Sequence, residues 1–338
     1  MVVLGKIYPF GGMRMSSDHY SVIDSVLVTE CHSYLATIVK VEGSAYRKEG
    51  TMMLISDKGM EKGLLTGGCV EQDLLARIAM QESDEAFLME YDLRSEDDLS
   101  WGQGVGCDGK IYILVEPITF ETRNVFLQLN SLLQNGHKVK LVKVFNKVNK
   151  YIENSLKTNI EEENTSIVSL DTEDRLIFNQ ILYPRPKLII YGAGPDVKPV
   201  VYFASKAGFY VILSDWRQAY CSEETIPYAK EYHIGTPSKV MEEINPTEND
   251  YVITMSHSFM KDQEIVKYLL QRKVKYFGLL GSRKRSERLL AGIIKPDWIH
   301  YPVGLPIYSE SPEEIAISII AELIKTKNEK KAVAREQL

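Results

Sequence analysis

The stretch that most constrains the fold is a strand, a glycine turn and a helix in immediate succession across residues 187–208. Residues 187–191 read Lys, Leu, Ile, Ile, Tyr, an apolar run set off by Pro184 and Pro186. That pattern suits a parallel strand buried on both faces. Gly192 and Gly194 follow, and then an apolar-spaced segment to Gly208. Two glycines so placed suit a tight turn whose backbone approaches a phosphate, with the N–H groups and positive dipole end of the next helix facing that anion. A second strand at 209–213 ends at Asp215, 21 positions after Gly194, where a carboxylate can reach a ribose hydroxyl. This is half of a dinucleotide-binding fold, and it departs from the fingerprint at the third glycine position, which is Val197.

The rest of the C-terminal half continues the pattern. A buried strand is expected at 250–255, closing on Ser256, His257 and Ser258, followed by a helix with Asp262 near its start. Another strand at 275–280 opens into Gly281, Ser282 and Arg283. In an open α/β sheet the loops leaving the carboxyl ends of the strands meet at the topological switch point. The loops at Gly192, Asp215, His257 and Gly281 should therefore share one crevice, a candidate seat for a nucleotide or NAD(P). His257 could serve there as a base, a ligand or a donor to phosphate, or simply as a structural hydrogen-bonding group. Gly281, Ser282 and Arg283 suit a grip on phosphate or carboxylate, or else a helix start with a solvated basic face. The segment 218–249 reads as irregular. Ser311 as N-cap, Pro312 at the first helical position and Glu313 and Glu314 in the first turn begin a long helix to about 324, with a polar tail after it.

The N-terminal half reads as alternating helices and strands: a helix at 19–31, strands at 34–41 and 51–56, a helix from 72 to 80, and strands at 87–91 and 111–115. Between the first two strands lie Gly43, Ser44, Ala45, Tyr46 and Arg47. Small residues there expose backbone N–H groups and Arg47 offers a planar donor fork, which makes an anion cradle or an ordinary hairpin loop. Thr66, Gly67, Gly68, Cys69, Val70 and Glu71 lead into the second helix. A thiol beside a helix N-terminus has its thiolate favoured by the dipole, although a small cysteine filling space beside a turn has an equal claim. A third stretch holds Trp101, Gly102, Gln103, Gly104, Gly106, Cys107 and Gly109, with four glycines in eight residues, able to hug a ligand by its backbone. Residues 120–187 read as a connecting region with one helix (124–133), one strand (138–144) and an acidic linker around 161–164.

Composition narrows the partners. The chain has 338 residues, 44% hydrophobic, with 40 Lys and Arg against 46 Asp and Glu. That length suits two domains, expected at 1–175, including a linker from about 120, and at 176–338. The mild acidity and lack of a basic block exclude the footprint of nucleic-acid binding. The first 15 residues carry neither a secretory apolar region nor a membrane span, so no membrane partner and a cytoplasmic location are expected. Cys31, Cys69, Cys107 and Cys221 lack CxxC spacing and read as thiols rather than a disulfide frame.

Taken together, these motifs resemble the XdhC/CoxI family, the accessory factors that mature xanthine dehydrogenase and related molybdenum hydroxylases. In the N-terminal half the resemblance rests on residues 43–47, 66–71 and 101–109. In the C-terminal half it rests on 191–194, 214–217, 254–257, 278–283, 302–305 and 311–316. It implies an α/β protein, with an N-terminal α+β domain followed by a Rossmann-like parallel-sheet domain. It further implies binding of molybdenum cofactor (molybdopterin), its protection during sulfuration by a cysteine desulfurase, delivery to a molybdenum hydroxylase apo-enzyme, and a homodimer. The family's molybdenum-cofactor cysteine maps onto Cys69, the metal ligand, with Cys107 as the second candidate. Gly67, Gly68, Glu71, Ser44, Arg47, Gln103 and Gly104 complete the N-terminal set. Gly192, Gly194, Asp215, Arg217, His257, Gly281, Ser282 and Arg283 form the C-terminal one. The chain departs from the family at Pro195, where many relatives have histidine, and at Ala45 and Tyr46, where a proline precedes the arginine. Such a protein is a carrier rather than a catalyst. The competing expectations are an NAD(P)-dependent oxidoreductase with Asp215 on the ribose and His257 as acid or base, and a nucleotide-sensing docking module.

Overall fold

The computed structural model describes residues 17–29, 32–56, 59–80, 84–94, 109–160, 167–170 and 174–335. It divides into two compact units, Met1–Pro184 and Arg185–Leu338. The division falls a strand's length past the boundary expected at 175, because the strand Arg175–Leu182 is hydrogen-bonded along its length to Val139–Asn146.

Unit 1 begins with α1 (Ser17–Val28), whose Val22, Ile23 and Val26 are buried. The strands β1 (Ser33–Gly43), β2 (Met52–Ser56) and β3 (Gly59–Gly63) then form a meander, followed by α2 (Cys69–Ala79), β4 (Phe87–Asp92) and β5 (Gly109–Pro117). They make a five-stranded antiparallel sheet in the order β3-β2-β1-β5-β4. Next come α3 (Phe120–Gln134), β6 (Val139–Asn146), β7 (Tyr151–Lys157), β8 (Ile167–Leu170) and β9 (Arg175–Leu182), the last four forming a second antiparallel sheet, β7-β6-β9-β8. One face of the first sheet packs under α2, with Ala36, Ile38, Met53 and Ile113 against Val70, Leu74 and Ile78. On the other face, Leu35 and Leu54 join Ile23 of α1, Phe126 and Leu129 of α3, and Val139 and Leu141 of β6. The central strand β1 is therefore covered on both faces from Ser33 to Val39.

The segment expected to be a connection is thus a packed layer of unit 1. Polar and apolar residues mix without regular alternation in β7 and β9, which hid their half-buried strand character. The acidic linker expected around 161–164 lies outside the described residues.

A buried charge sits within that layer. Lys143 of β6 is wholly buried and is paired with Glu116 of β5, itself buried. Asn154 of β7 donates to Glu116 at 2.7 Å and accepts from Lys143 at 3.2 Å. Removing one partner of such a pair strands the other charge in a low-dielectric site. Lys143→Ala should therefore lower unfolding free energy by about 3–5 kcal/mol, whereas replacing Lys143 and Glu116 together with Met and Leu should cost far less, as read by urea denaturation of the full chain.

Unit 2 is a three-layer α/β domain: β10 (Lys187–Tyr191), α4 (Val197–Lys206), β11 (Tyr210–Asp215), β12 (Glu231–Ile234), α5 (Pro237–Ile244), β13 (Tyr251–Thr254), α6 (Phe259–Leu269), β14 (Tyr276–Leu279), α7 (Arg283–Leu289), β15 (Ile299–His300) and α8 (Pro312–Arg335). All six strands are parallel, in the order β12-β11-β10-β13-β14-β15. This is the 3-2-1-4-5-6 arrangement of doubly wound nucleotide-binding sheets. Alternate residues of each strand serve opposite faces. Leu188 and Ile190 pack with Val197, Val200 and Val201 of α4 and Ile319 and Leu323 of α8. Ile189 and Tyr191 pack with Val240 of α5 and Ile265 and Leu269 of α6.

The stretch expected to be irregular contains β12 and α5. Two short elements carry too few residues for a periodic signal. The last helix also runs through the expected polar tail to Arg335. Its start follows expectation: Ser311 accepts from the Glu314 N–H at 3.3 Å, and Glu314 reaches back to the N–H of Ser311 at 3.2 Å, a reciprocal cap.

Candidate functional site

The first candidate site lies at one end of the five-stranded sheet. Because β1, β2, β3 and β5 alternate in direction, the chain leaves β1 at Gly43 beside the start of β5 at Gly109, while β2 begins at Met52 opposite Thr37 and β3 ends at Gly63 opposite Met53, pointing toward the same end from further back along the sheet. Ser44 and Arg47 thus follow the Gly43–Gly109 pair, and the turn carrying Gly67, Gly68 and Cys69 follows β3 toward that end of the sheet. Gly109 faces Gly43 across the ladder, and a Cβ there would lie 2.5 Å from the Glu42 carbonyl oxygen and 2.7 Å from that of Ser44. Only glycine lets the two backbones approach so closely. Gln103, Gly104 and Cys107 lie outside the described residues.

The loop before α2 is held by one carboxylate. Glu71 is wholly buried, and its Oε1 accepts from the N–H groups of Leu65 at 3.0 Å and Thr66 at 2.6 Å. Its Oε2 accepts from the Thr66 hydroxyl at 2.5 Å and the Gly68 N–H at 3.0 Å. Both oxygens are turned into the loop, so Glu71 shapes this site from behind. Burial pushes its carboxyl up, but the donors from Thr66, its own backbone and Leu65 outweigh burial and hold it below its ordinary value. Gly68 has φ 128°, a conformation that side chains resist. Gly67 has no such φ, and a Cβ placed on it would meet no described atom within 4 Å, so neither its conformation nor its packing accounts for glycine there. Cys69 is the first residue of α2. Ser44 is exposed, and the half-buried Arg47 carries its guanidinium over the Tyr46 ring at 5.4 Å.

The second candidate site is the carboxyl edge of the sheet in unit 2. It brings together Gly192, Gly194, Asp215, Arg217, His257 and Gly281, as expected for loops at a switch point. Gly192 has φ 114°, and a Cβ there would lie 2.3 Å from the Met255 carbonyl oxygen. Its glycine is demanded by contact between β10 and the segment leaving β13. Asp215 is wholly buried, accepting from the Ala193 N–H at 2.7 Å, the Arg217 N–H at 2.8 Å, and the Arg217 guanidinium at 3.0 and 2.9 Å. Burial raises its carboxyl, and the Arg217 side chain and these N–H donors more than offset that. Arg217 stacks over Trp216 and Tyr220, each 4.3 Å from its ring centre.

His257, itself at φ 56°, lies 2.9 Å from a carboxylate oxygen of Asp196. Asp262 is buried and accepts from the Ser256 hydroxyl at 2.6 Å and from Arg285 at 2.7 Å; burial nevertheless raises its carboxyl above the ordinary value. Arg285, rather than Arg283, is therefore the guanidinium drawn into this edge. Ser282 caps α7 by accepting from the Arg285 N–H, and Arg283 is exposed. Ser256, Asp262 and Arg285 form a cluster that the sequence signalled only by a polar residue at the start of each helix. Cys221 is buried, its thiol pushed up to about 11 by burial and by the Asp215 charge, which makes it a structural residue. Among the described residues no group of three His, Cys, Asp or Glu side chains could hold a metal, and no helix is long and apolar enough to cross a membrane.

The geometry defines a class of protein: an antiparallel α+β unit with converging glycine loops, joined in one chain to a Rossmann unit. Comparison with known proteins makes the class specific. Residues 31–92 match the XdhC and CoxI family, and residues 188–323 match the XdhC Rossmann domain. A Bacillus subtilis protein named as a probable xanthine dehydrogenase subunit is 38% identical over 320 residues, covering 91% of this chain and 97% of the relative. A crystal structure described as a xanthine dehydrogenase from Bacillus halodurans is 38% identical, covers 93% of this chain and 96% of that one, and superposes with a TM-score of 0.79. The Escherichia coli protein YqeB, uncharacterised, is 27% identical over 160 residues, 45% of this chain and 29% of its own. The chain belongs to the XdhC and CoxI family.

The Glu71 geometry carries a pH dependence with a definite sign. A carboxylate whose folded value is depressed stabilises the fold above its unfolded value of about 4.3 and loses that contribution as pH falls through the folded value. Glu71→Gln should therefore destabilise the protein by about 1–3 kcal/mol near pH 7, with the gap from wild type closing below about pH 4. Urea midpoints of both proteins from about pH 3 to 7 check this.

Proposed function

We propose that this protein is a maturation factor for a molybdenum hydroxylase of the xanthine dehydrogenase type. It binds molybdenum cofactor as cargo in unit 1, shields it while a cysteine desulfurase supplies its sulfur, and delivers it to the apo-enzyme. The observation that carries the reading is that the Ser44–Arg47 segment, the Gly67–Gly68–Cys69 turn and the strand entry at Gly109 all lie toward one end of the same sheet. Gly67, for which the fold gives no reason, supports close approach of a ligand to the backbone.

The chemistry of these residues fits such cargo. A thiolate is a soft ligand suited to a sulfur-rich molybdenum centre, and the start of α2 favours the thiolate form of Cys69. The exposed Gly67 backbone allows close approach of a pterin, the Gly68 N–H being already given to Glu71, and Arg47 offers a planar fork to its phosphate. Glu71 orients the turn without spending its charge on the cargo. In this reading the protein transfers an intact cofactor and needs no proton-transfer group of its own. It acts in the cytoplasm as a homodimer.

The test incubates the full chain with released molybdenum cofactor and measures bound molybdenum and pterin fluorescence. Wild type should bind stoichiometrically, and Cys69→Ala should lose at least about tenfold in affinity, the equivalent of ~1.4 kcal/mol. Equal binding by both proteins would remove Cys69 as the ligand, and binding by neither would end the carrier reading.

A further inference from the structure

The carboxyl edge of unit 2 has the outline of a dinucleotide site, yet several of the devices that would hold a pyrophosphate are committed elsewhere. The second fingerprint glycine exists so that backbone can approach the pyrophosphate. At Gly194 that space is taken: a carboxylate oxygen of Asp196 lies 2.7 Å from where a Cβ would stand. Several donors of the turn are spent as well. The Ala193 N–H goes to Asp215 at 2.7 Å, the Val197 N–H to the Gly194 carbonyl at 3.0 Å, and the Lys198 N–H to the Pro195 carbonyl at 3.4 Å. Pro195 and Pro199 have no N–H to give. The acid that would hold the ribose, Asp215, is wholly buried with both oxygens engaged by Ala193 and Arg217.

Asp196 does not drift into this position. It precedes α4, on one lip of the switch-point crevice, and its other carboxylate oxygen lies 2.9 Å from Nε2 of His257, which follows β13 on the opposite lip. His257 is held at φ 56°, a left-handed conformation that a non-glycine residue adopts only where its surroundings require it. The bridge therefore spans the crevice where a pyrophosphate would cross, and it presents a carboxylate to a ligand that is itself anionic. Like charges so close oppose binding.

From this we infer that Asp196, held by His257, closes the unit 2 crevice against phosphoanhydrides, so that this Rossmann unit excludes NAD(P) and related dinucleotides. The inference goes beyond the proposed carrier function, concerns a different unit, and removes the nicotinamide-dependent oxidoreductase as a reading of this chain. Asp196 and His257 are specificity-determining residues by exclusion.

Isothermal titration calorimetry of the full-length protein with NAD⁺, NADP⁺ and ADP-ribose tests it. Wild type should give no saturable heat up to ligand concentrations on the order of 1 mM. Asp196→Ala should bind ADP-ribose at least about tenfold more tightly than that limit. His257→Ala, which frees Asp196 to turn away, should move in the same direction by less. Thermal melting identifies folded variants. Saturation of wild type in the micromolar range would overturn the inference. So would folded Asp196→Ala and His257→Ala proteins that both still bind nothing, since the seat would then be closed by something other than this pair.

Discussion

A buried carboxylate must find donors for its lone pairs, because leaving them unmet in an apolar setting costs several kcal/mol. In both units of this chain the donors it finds belong to the turns that define the candidate sites. Glu71 accepts from the backbone of Leu65, Thr66 and Gly68 and from the Thr66 hydroxyl. Asp215 accepts from Ala193 in the glycine turn and from Arg217. Asp262 ties the loop after β13 to α7 through Ser256 and Arg285. The turns are glycine-rich and have little packing of their own. Their shape is set by an acid behind them, and the sites depend on those acids although no ligand need touch them.

The glycines divide into two kinds, and the division separates the units. Gly192 is required by its contact with the Met255 carbonyl, and Gly109 by the carbonyls of Glu42 and Ser44. Those positions are glycine because two stretches of backbone meet. Gly67 meets nothing among the described residues and lies outside the positive-φ region, so neither packing nor conformation accounts for glycine there. In unit 2 the corresponding open position, Gly194, is instead covered by Asp196. In unit 1 the Gly67 position stays uncovered, although Glu71 takes the N–H groups of Leu65, Thr66 and Gly68, whereas unit 2 covers its open position with a side chain. A nucleotide-binding architecture thus persists with its anion seat filled by the protein itself, a reminder that fold and function separate at the site.

Much of the architecture was legible in advance, where signals were local and strong. The runs of β-branched and apolar residues marked β1, β2, β10, β11, β13 and β14, and helical spacing marked α1, α2, α3 and α4. Ser311, Pro312 and Glu314 marked the start of α8, and the reciprocal cap is there. The second sheet of unit 1 was missed because β7 and β9 mix polar and apolar residues, and because the apolar surface that makes them strands belongs to β1, α3 and β6. Nothing local in the sequence marks Lys143 for burial. Its burial follows from the meeting of β5, β6 and β7, which brings Glu116 and Asn154 to it from 27 and 11 residues away.

By itself the sequence determined the elements with strong local signals, the glycine turn after the first strand of a parallel sheet, and the family to which the chain belongs, because propensity, capping and turn chemistry act over a few residues. Only the tertiary structure decided what the marked residues do. It turned Glu71 and Asp215 inward as supports, brought Arg285 rather than Arg283 to Asp262, and set Asp196 and His257, 61 residues apart, across one crevice. Such roles rest on which donors and acceptors meet once distant strands have packed, and the energy of a charge or a hydrogen bond depends on that burial rather than on the neighbours in the chain.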